Sequence, residues 1–318
     1  MALLQAHAGG GLPTAPLTGS RWLTAWSFEP VPLITIEVAA ALYLWGVYRL
    51  KRAGNAWPVG RTLAFVVGAL GSALIATCSS IGTYDEVLLS VHMVQHMILA
   101  MTTPVFIALG APVTLALRTL PKRPRRWLLT VVHSRVVAIL TFPVLAGGLF
   151  IATPFALYFS GLYEQTLRHP WLHDLSHLHF VLIGCLWYVP LLGIDPLPRR
   201  PSYPLRVISA FLTLPFHAWM GVAIMSMNTL IAGDWYLSQH RTWGPSPLSD
   251  QHIAGGLLWS SGDLVGVVVF AALFNQWLRA SQREARREDR RLDRLEAEDA
   301  ARAALNARLA QAAEQGPR

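Results

Sequence analysis

Charge is what this sequence has least of. Only 14% of its 318 residues are charged while 53% are hydrophobic, and a soluble domain carries about 25% charged residues. The deficit is uneven, because 18 of the 44 charged residues fall in the last forty positions, Arg279 to Arg318. An ordinary soluble domain is excluded for the remainder, and so, by the apolar content, is disorder. Cysteine is nearly absent. Cys78 and Cys185 alone make neither a disulfide scaffold nor a CxxC pair, and each is expected to be a small apolar filler. Lysine is limited to Lys51 and Lys122, neither of them within an apolar run, so no retinal-type Schiff base can form in a span. The GxxxxGK[ST] phosphate loop, the GxSxG elbow and an inverted repeat are all missing, which weakens the case for a self-contained enzyme or ATP-driven pump. Met1–Pro30 has no basic n-region and no small-residue cleavage site, so it is expected to be a short exported segment rather than a cleaved signal peptide.

What is present is a series of apolar runs of about 20 residues, the length that crosses a bilayer as a helix. Seven are found, at Val31–Leu50, Arg61–Ser80, Val87–Leu109, Val136–Thr153, Leu175–Leu192, Val207–Ile231 and Ile253–Leu278. The runs are continuous rather than alternating, which favours helices over barrel strands. The fold class is therefore all-α, a polytopic seven-transmembrane-helix bundle. The basic residues set an orientation. Those of the first, third and fifth loops and the tail number 23, and only Arg21, Arg168 and Arg241 lie on the other side. Because cytoplasmic loops collect Lys and Arg, the N-terminus is expected outside and the C-terminus in the cytoplasm. The formal charge of +8 is thus topology rather than a nucleic-acid surface. The expected organisation is an exported segment at 1–30, a transmembrane domain at 31–278 and a charged helical tail at 279–318.

On this topology ten of the eleven histidines lie from the midplane outward, with His133 alone on the cytoplasmic side. His92 and His96 are the sharpest pair. Four residues apart on a helix they share a face, and imidazole suits copper, zinc, iron or nickel. A zinc-protease reading fails because Met93, not glutamate, follows the first histidine. Met93, Met97 and Met101 keep the same spacing on a neighbouring stripe, and thioether sulfur selects Cu(I). Core packing is the ordinary alternative for them. The fifth span offers His173 and His177, again at i and i+4; His177 is the one expected to face the bundle, His179 points elsewhere and can equally bond a neighbouring helix, and His169 and His173 fall in or near an exported loop, where solvation is the ordinary outcome. His217 sits near the midplane of the sixth span, about 16 Å deep at 1.5 Å per residue. Two acids lie within spans, and a buried carboxylate needs a partner. Glu37 is a candidate for the His92/His96 pair. Asp263 is either a partner of His217 or the cap of a helix break after Ser260-Ser261-Gly262.

Several ordered motifs resemble the multi-spanning CtaG family of cytochrome c oxidase assembly proteins. They are His92-Met93-Val94-Gln95-His96-Met97-Ile98-Leu99 followed by Pro104 and Gly110-Ala111-Pro112, and the fifth-span exit Trp187-Tyr188-Val189-Pro190-Leu191-Leu192-Gly193-Ile194-Asp195-Pro196-Leu197-Pro198-Arg199. Pro215-Phe216-His217-Ala218 and Ser249-Asp250-Gln251-His252-Ile253-Ala254-Gly255-Gly256-Leu257-Leu258-Trp259 complete the set. The resemblance covers about Val31–Leu278. It implies a role in maturing a haem–copper oxidase, by supplying or holding copper at the outer face of the membrane, and His92, His96, His217, Asp250 and Gln251 match its pattern.

The resulting expectation is a non-enzymatic assembly factor in the bacterial plasma membrane. Its copper ligands would come from His92, His96, His177, His217, Met93 and Met97, supported by Glu37, Asp250, Gln251 and Asp263. Its partners would be cytochrome c oxidase subunits, other copper chaperones and the lipid bilayer. Two further readings use the same residues. One is a haem-binding redox protein with histidines of facing helices as axial ligands, and the other is a copper permease.

Overall fold

The computed structural model of the chain describes residues 13–197 and 200–314; His7 and Arg199, both used in the topology argument, lie outside them. Every regular element among the described residues is helical. Six helices are long and apolar enough to cross a membrane, at Pro30–Arg52, Val59–Tyr84, Leu89–Thr119, Pro170–Leu192, Tyr203–Ser226 and Pro247–Gln311. A seventh span is formed if Pro143–Tyr158 and Leu162–Arg168, which meet at a 69° bend, are taken as one. We number these spans one to seven in chain order, the bent pair being the fourth. Large apolar side chains such as Ile34, Val38, Leu42, Val67, Leu182 and Trp219 point outward. So much exposed apolar surface is stable only against lipid.

The helix ends follow local chemistry. Proline stands in the first turn of the first, fourth, fifth and sixth spans, where its missing N–H costs nothing. Gly193 closes the fifth span in the left-handed region at φ 62°, the usual glycine cap. Three expected boundaries are corrected. The fourth span does not stop at Thr153; it passes through Pro154 to Tyr158, since neighbouring helices can satisfy the carbonyl that a proline releases in a membrane helix. The fifth begins at Pro170, five residues before Leu175, and draws His173 into the helix. The seventh shows no break at Ser260–Gly262. The hydroxyls of Ser260 and Ser261 bond back to the carbonyls of Gly256 and Leu257, so the helix runs unbroken from Pro247 to Glu314.

Two π-helical turns interrupt the α pattern, at Ala64–Leu70 in span two and Ile98–Thr102 in span three. Such turns are rare and cluster at functional sites. The second follows His96 and Met97 directly, and span five approaches it closely. At Gly184 a Cβ would fall inside van der Waals contact with the Ala100 carbonyl oxygen and 2.5 Å from Pro104 Cγ. Gly221 of span six and Gly255 of span seven meet in the same way, each backbone 2.6 Å from where the other's Cβ would be. Small residues that let backbones touch are how membrane helices gain dispersion contacts without a hydrophobic driving force.

One end of the bundle is closed by Tyr43, Val47, Leu50, Trp57, Phe65, Ala111 and Leu115. Tyr43 donates to the Gly110 carbonyl at 2.8 Å, and Trp57 donates to Tyr43 at 3.3 Å. There Asp195, buried, accepts the Thr114 N–H at 2.7 Å and its hydroxyl at 2.6 Å, and so caps the helix that restarts at Pro112. The chain divides into two compact units, Met1–Phe270 and Ala271–Arg318. The second is the distal part of the long helix, in which Leu292, Leu295, Leu305 and Leu309 are all exposed.

Candidate metal centre

The short connection after Tyr84 and the beginnings of spans three and five converge on one buried cluster. Span three brings in His92 and His96, each 1% exposed, on one face; their ring centroids are 4.4 Å apart. Span five brings in His173 and His177, again i and i+4, with centroids 4.4 Å apart. The two pairs meet where His92 and His173 lie 5.9 Å apart. Two imidazoles sharing an ion at about 2.0–2.1 Å per bond have centroids roughly 4.5–6 Å apart, depending on the bond angle. The connection contributes Asp85, which is fully buried. Ligand atoms of Asp85, His173 and His177 all lie within 4.8 Å of one another.

Each ring is held by one nitrogen. His173 Nε2 is 3.1 Å from Asp85 Oδ2; the carboxylate only accepts, so Nε2 carries the proton and Nδ1 the lone pair. His177 Nε2 is 3.0 Å from Gln95 Oε1. The Gln95 amide is oriented because its nitrogen donates to the Ala76 carbonyl at 3.0 Å, which makes His177 the donor by the same logic. His96 Nδ1 pairs with the Tyr158 hydroxyl at 2.6 Å. His96 Nε2 and both nitrogens of His92 are buried with no hydrogen-bond partner. Polar atoms stranded in this way cost about 1–3 kcal/mol each. One ring nitrogen tethered to a carboxylate, amide or hydroxyl and the other turned inward is the arrangement that orients metal-binding histidines. Phe180, 3.6 Å from His96, and Tyr163, 4.8 Å from His92, wall the cluster. Tyr163 bonds Tyr236 at 2.6 Å. Tyr236 lies between spans six and seven, and burial pushes its phenol above the usual range, so it stays protonated.

Of the expected ligands, His92, His96 and His177 come together. His217 does not join them, but it lines a small cavity with His96 and Met97. Met93 is fully enclosed and is not among the residues lining that cavity. Glu37 is corrected: it is exposed, because the inward face of span one carries Tyr43, Gly46, Val47 and Leu50, and the i+6, i+10 and i+13 offsets put Glu37 on the opposite side. Asp250 and Gln251 are buried clamps. Asp250 accepts the backbone N–H and the hydroxyl of Ser90, two residues before His92. Gln251 accepts the Ile231 N–H at 2.7 Å and donates to the Thr229 carbonyl at 3.1 Å. Asp263 has one buried carboxylate oxygen, Oδ1, with no hydrogen-bond partner. His179 meets the Thr153 hydroxyl at 3.3 Å, an interhelical bond as expected, and His169 caps span five in an exposed position. Cys78 is buried beside the Thr77 hydroxyl.

The expectation for His173 is overturned: it is 2% exposed, at the heart of the cluster. The signal was Pro170, a helix-start residue three positions before it. Asp85, Gln95, Tyr158 and Tyr163 were not singled out in the sequence, because loop and helix residues that brace a ligand have no spacing of their own.

A helical membrane protein with a buried histidine–carboxylate cluster is the class that fold and site define. The family model described as cytochrome c oxidase caa3 assembly factor, Caa3_CtaG, matches residues 41–280, and the chain belongs to that family. It is 42% identical over 299 residues to uncharacterized proteins of Mycobacterium bovis and Mycobacterium tuberculosis, covering 92% of this chain and 45% of each relative. A Mycobacterium leprae protein is 41% identical over 287 residues, 88% of this chain and 43% of the relative. The chain thus spans about half the length of the curated relatives it matches. No solved structure matches it.

Proposed function

We propose that this chain is a non-catalytic assembly factor of the bacterial plasma membrane that binds copper at the four-histidine cluster and passes it to subunits of a haem–copper oxidase, receiving it from other copper chaperones. The family supports the oxidase role. The carrying observation for the metal is the set of stranded nitrogens, His96 Nε2 and both of His92, beside His173 and His177 whose outer nitrogens are already tethered. Neutral imidazoles without a thiolate hold copper while leaving it exchangeable, as a donor requires. In this reading the basic loops face the cytoplasm and the cluster lies in the outer half of the membrane.

The cavities bordering the cluster at His96 and at His173/His177 are about 10 Å³ each, enough for a water-sized particle, whereas an apolar groove of about 460 Å³ reaches His177 from between spans one, two, three and five, so the visible spectrum decides between copper and haem. Metal analysis of the purified protein, with its visible spectrum, tests the proposal. Copper bound by the wild type and lost in His92→Ala/His96→Ala, together with loss of oxidase maturation in cells, is the expected result. Unchanged oxidase maturation in that double variant would remove the copper role, and a Soret band would favour haem.

A further inference from the structure

His217 stands between two small cavities. One, about 10 Å³, is lined by His96, Met97, Phe150, Phe180 and His217. The other, of the same size, is lined by Met101, Trp187, Tyr188 and His217. Each holds about one water-sized particle. The ring is built in rather than loosely placed. Phe150 packs at 5.5 Å, and Gly262 admits it, since a Cβ there would lie 3.1 Å from His217 Cδ2. One residue further along span seven, Asp263 has one carboxylate oxygen, Oδ1, that is buried with no hydrogen-bond partner. A thioether and an imidazole thus line a space for one particle, and His96 of the main cluster opens onto the same space.

We propose that Met97 and His217 form a second station, for Cu(I), which takes the ion from the His92/His96 cluster through the cavity that His96 and His217 share. The move involves no redox change. The bond from His96 Nε2 to Cu(I) breaks as bonds from the Met97 sulfur and His217 form. Because imidazole accepts zinc and copper alike while thioether selects Cu(I), the station discriminates: Zn(II) stops at the cluster and Cu(I) passes on. This inference rests on the copper reading above.

The test uses the purified full chain in detergent, loaded anaerobically with Cu(I) against a chromophoric chelator, or with Zn(II), and examined by copper K-edge X-ray absorption. Wild type is expected to bind two equivalents of Cu(I) with a sulfur scatterer, but one of Zn(II). Met97→Leu/His217→Ala is expected to bind one equivalent of Cu(I) without sulfur, and its retained Zn(II) equivalent shows that it has folded. Met93→Leu is the control that keeps both equivalents and the sulfur signal. Sulfur scattering that persists in Met97→Leu/His217→Ala overturns the station. So does a wild type that binds a single Cu(I) through nitrogen alone, and in that case the cluster reading survives. A wild type that binds no copper overturns both.

Discussion

Gly184→Ala is expected to separate the two halves of the histidine cluster. The added methyl would overlap the Ala100 carbonyl and lie 2.5 Å from Pro104 Cγ, where ordinary carbon contacts lie at about 3.5–4.0 Å. Both neighbours are held by their helix, so relief requires span five to withdraw from span three by about 1 Å. The stability terms oppose one another. Glycine to alanine within a helix gains about 1 kcal/mol, whereas overpacking typically costs 1–3 kcal/mol, so a net loss of up to about 2 kcal/mol is expected. Function should suffer more than stability. His92 and His96 ride on span three and His173 and His177 on span five, and metal–nitrogen bonds tolerate only about 0.2 Å. Copper affinity is therefore expected to fall at least 10–100-fold, the range seen when bracing groups are lost. Gly148→Ala is the control, since nothing lies within 4 Å of its Cβ position. The assay is Cu(I) competition alongside thermal unfolding for both variants. Indistinguishable affinity in Gly184→Ala and Gly148→Ala would refute the claim that this contact sets the cluster geometry.

Other consequences follow from the bracing groups. Tyr158→Phe removes the hydroxyl at His96 Nδ1 and should weaken copper binding about 10–100-fold with little change in unfolding temperature; equal affinity would show that the hydroxyl does not orient the ring. Gln95→Leu removes one hydrogen bond from His177 and strands the Ala76 carbonyl; it should lower affinity and also cost about 1–3 kcal/mol, seen as a lower melting temperature. Asp195→Ala, far from the cluster in sequence and bonded to the Thr114 amide and hydroxyl, should cost about 1–2 kcal/mol through loss of the cap and leave the number of bound copper ions unchanged.

Legibility in the sequence depended on whether the signal was local. Apolar runs long enough to cross a bilayer are counted from composition alone, so the spans were found, and the His92/His96 pair was visible because helical spacing alone puts both side chains on one face. The ends of the runs were less legible. Placing the start of span five at Leu175 rather than Pro170 made His173 a loop residue, although it is buried against Asp85. Glu37 was misjudged for a different reason: span one is apolar nearly all round, and periodicity cannot tell its inward face from its lipid-facing one.

What the sequence determined by itself is the helical membrane class, the family motifs and the ligand types, because apolar length and residue chemistry act along the chain. Which histidines meet was decided only in three dimensions. The Gly184 contact draws span five against the π turn of span three, and the buried turn after Tyr84 adds Asp85 from between two spans. His217 is left one cavity away from the cluster that its residue type alone would have joined. Membrane helices pack through such close backbone contacts rather than through a hydrophobic pattern of their own, so their neighbours are not written in the periodicity of either one.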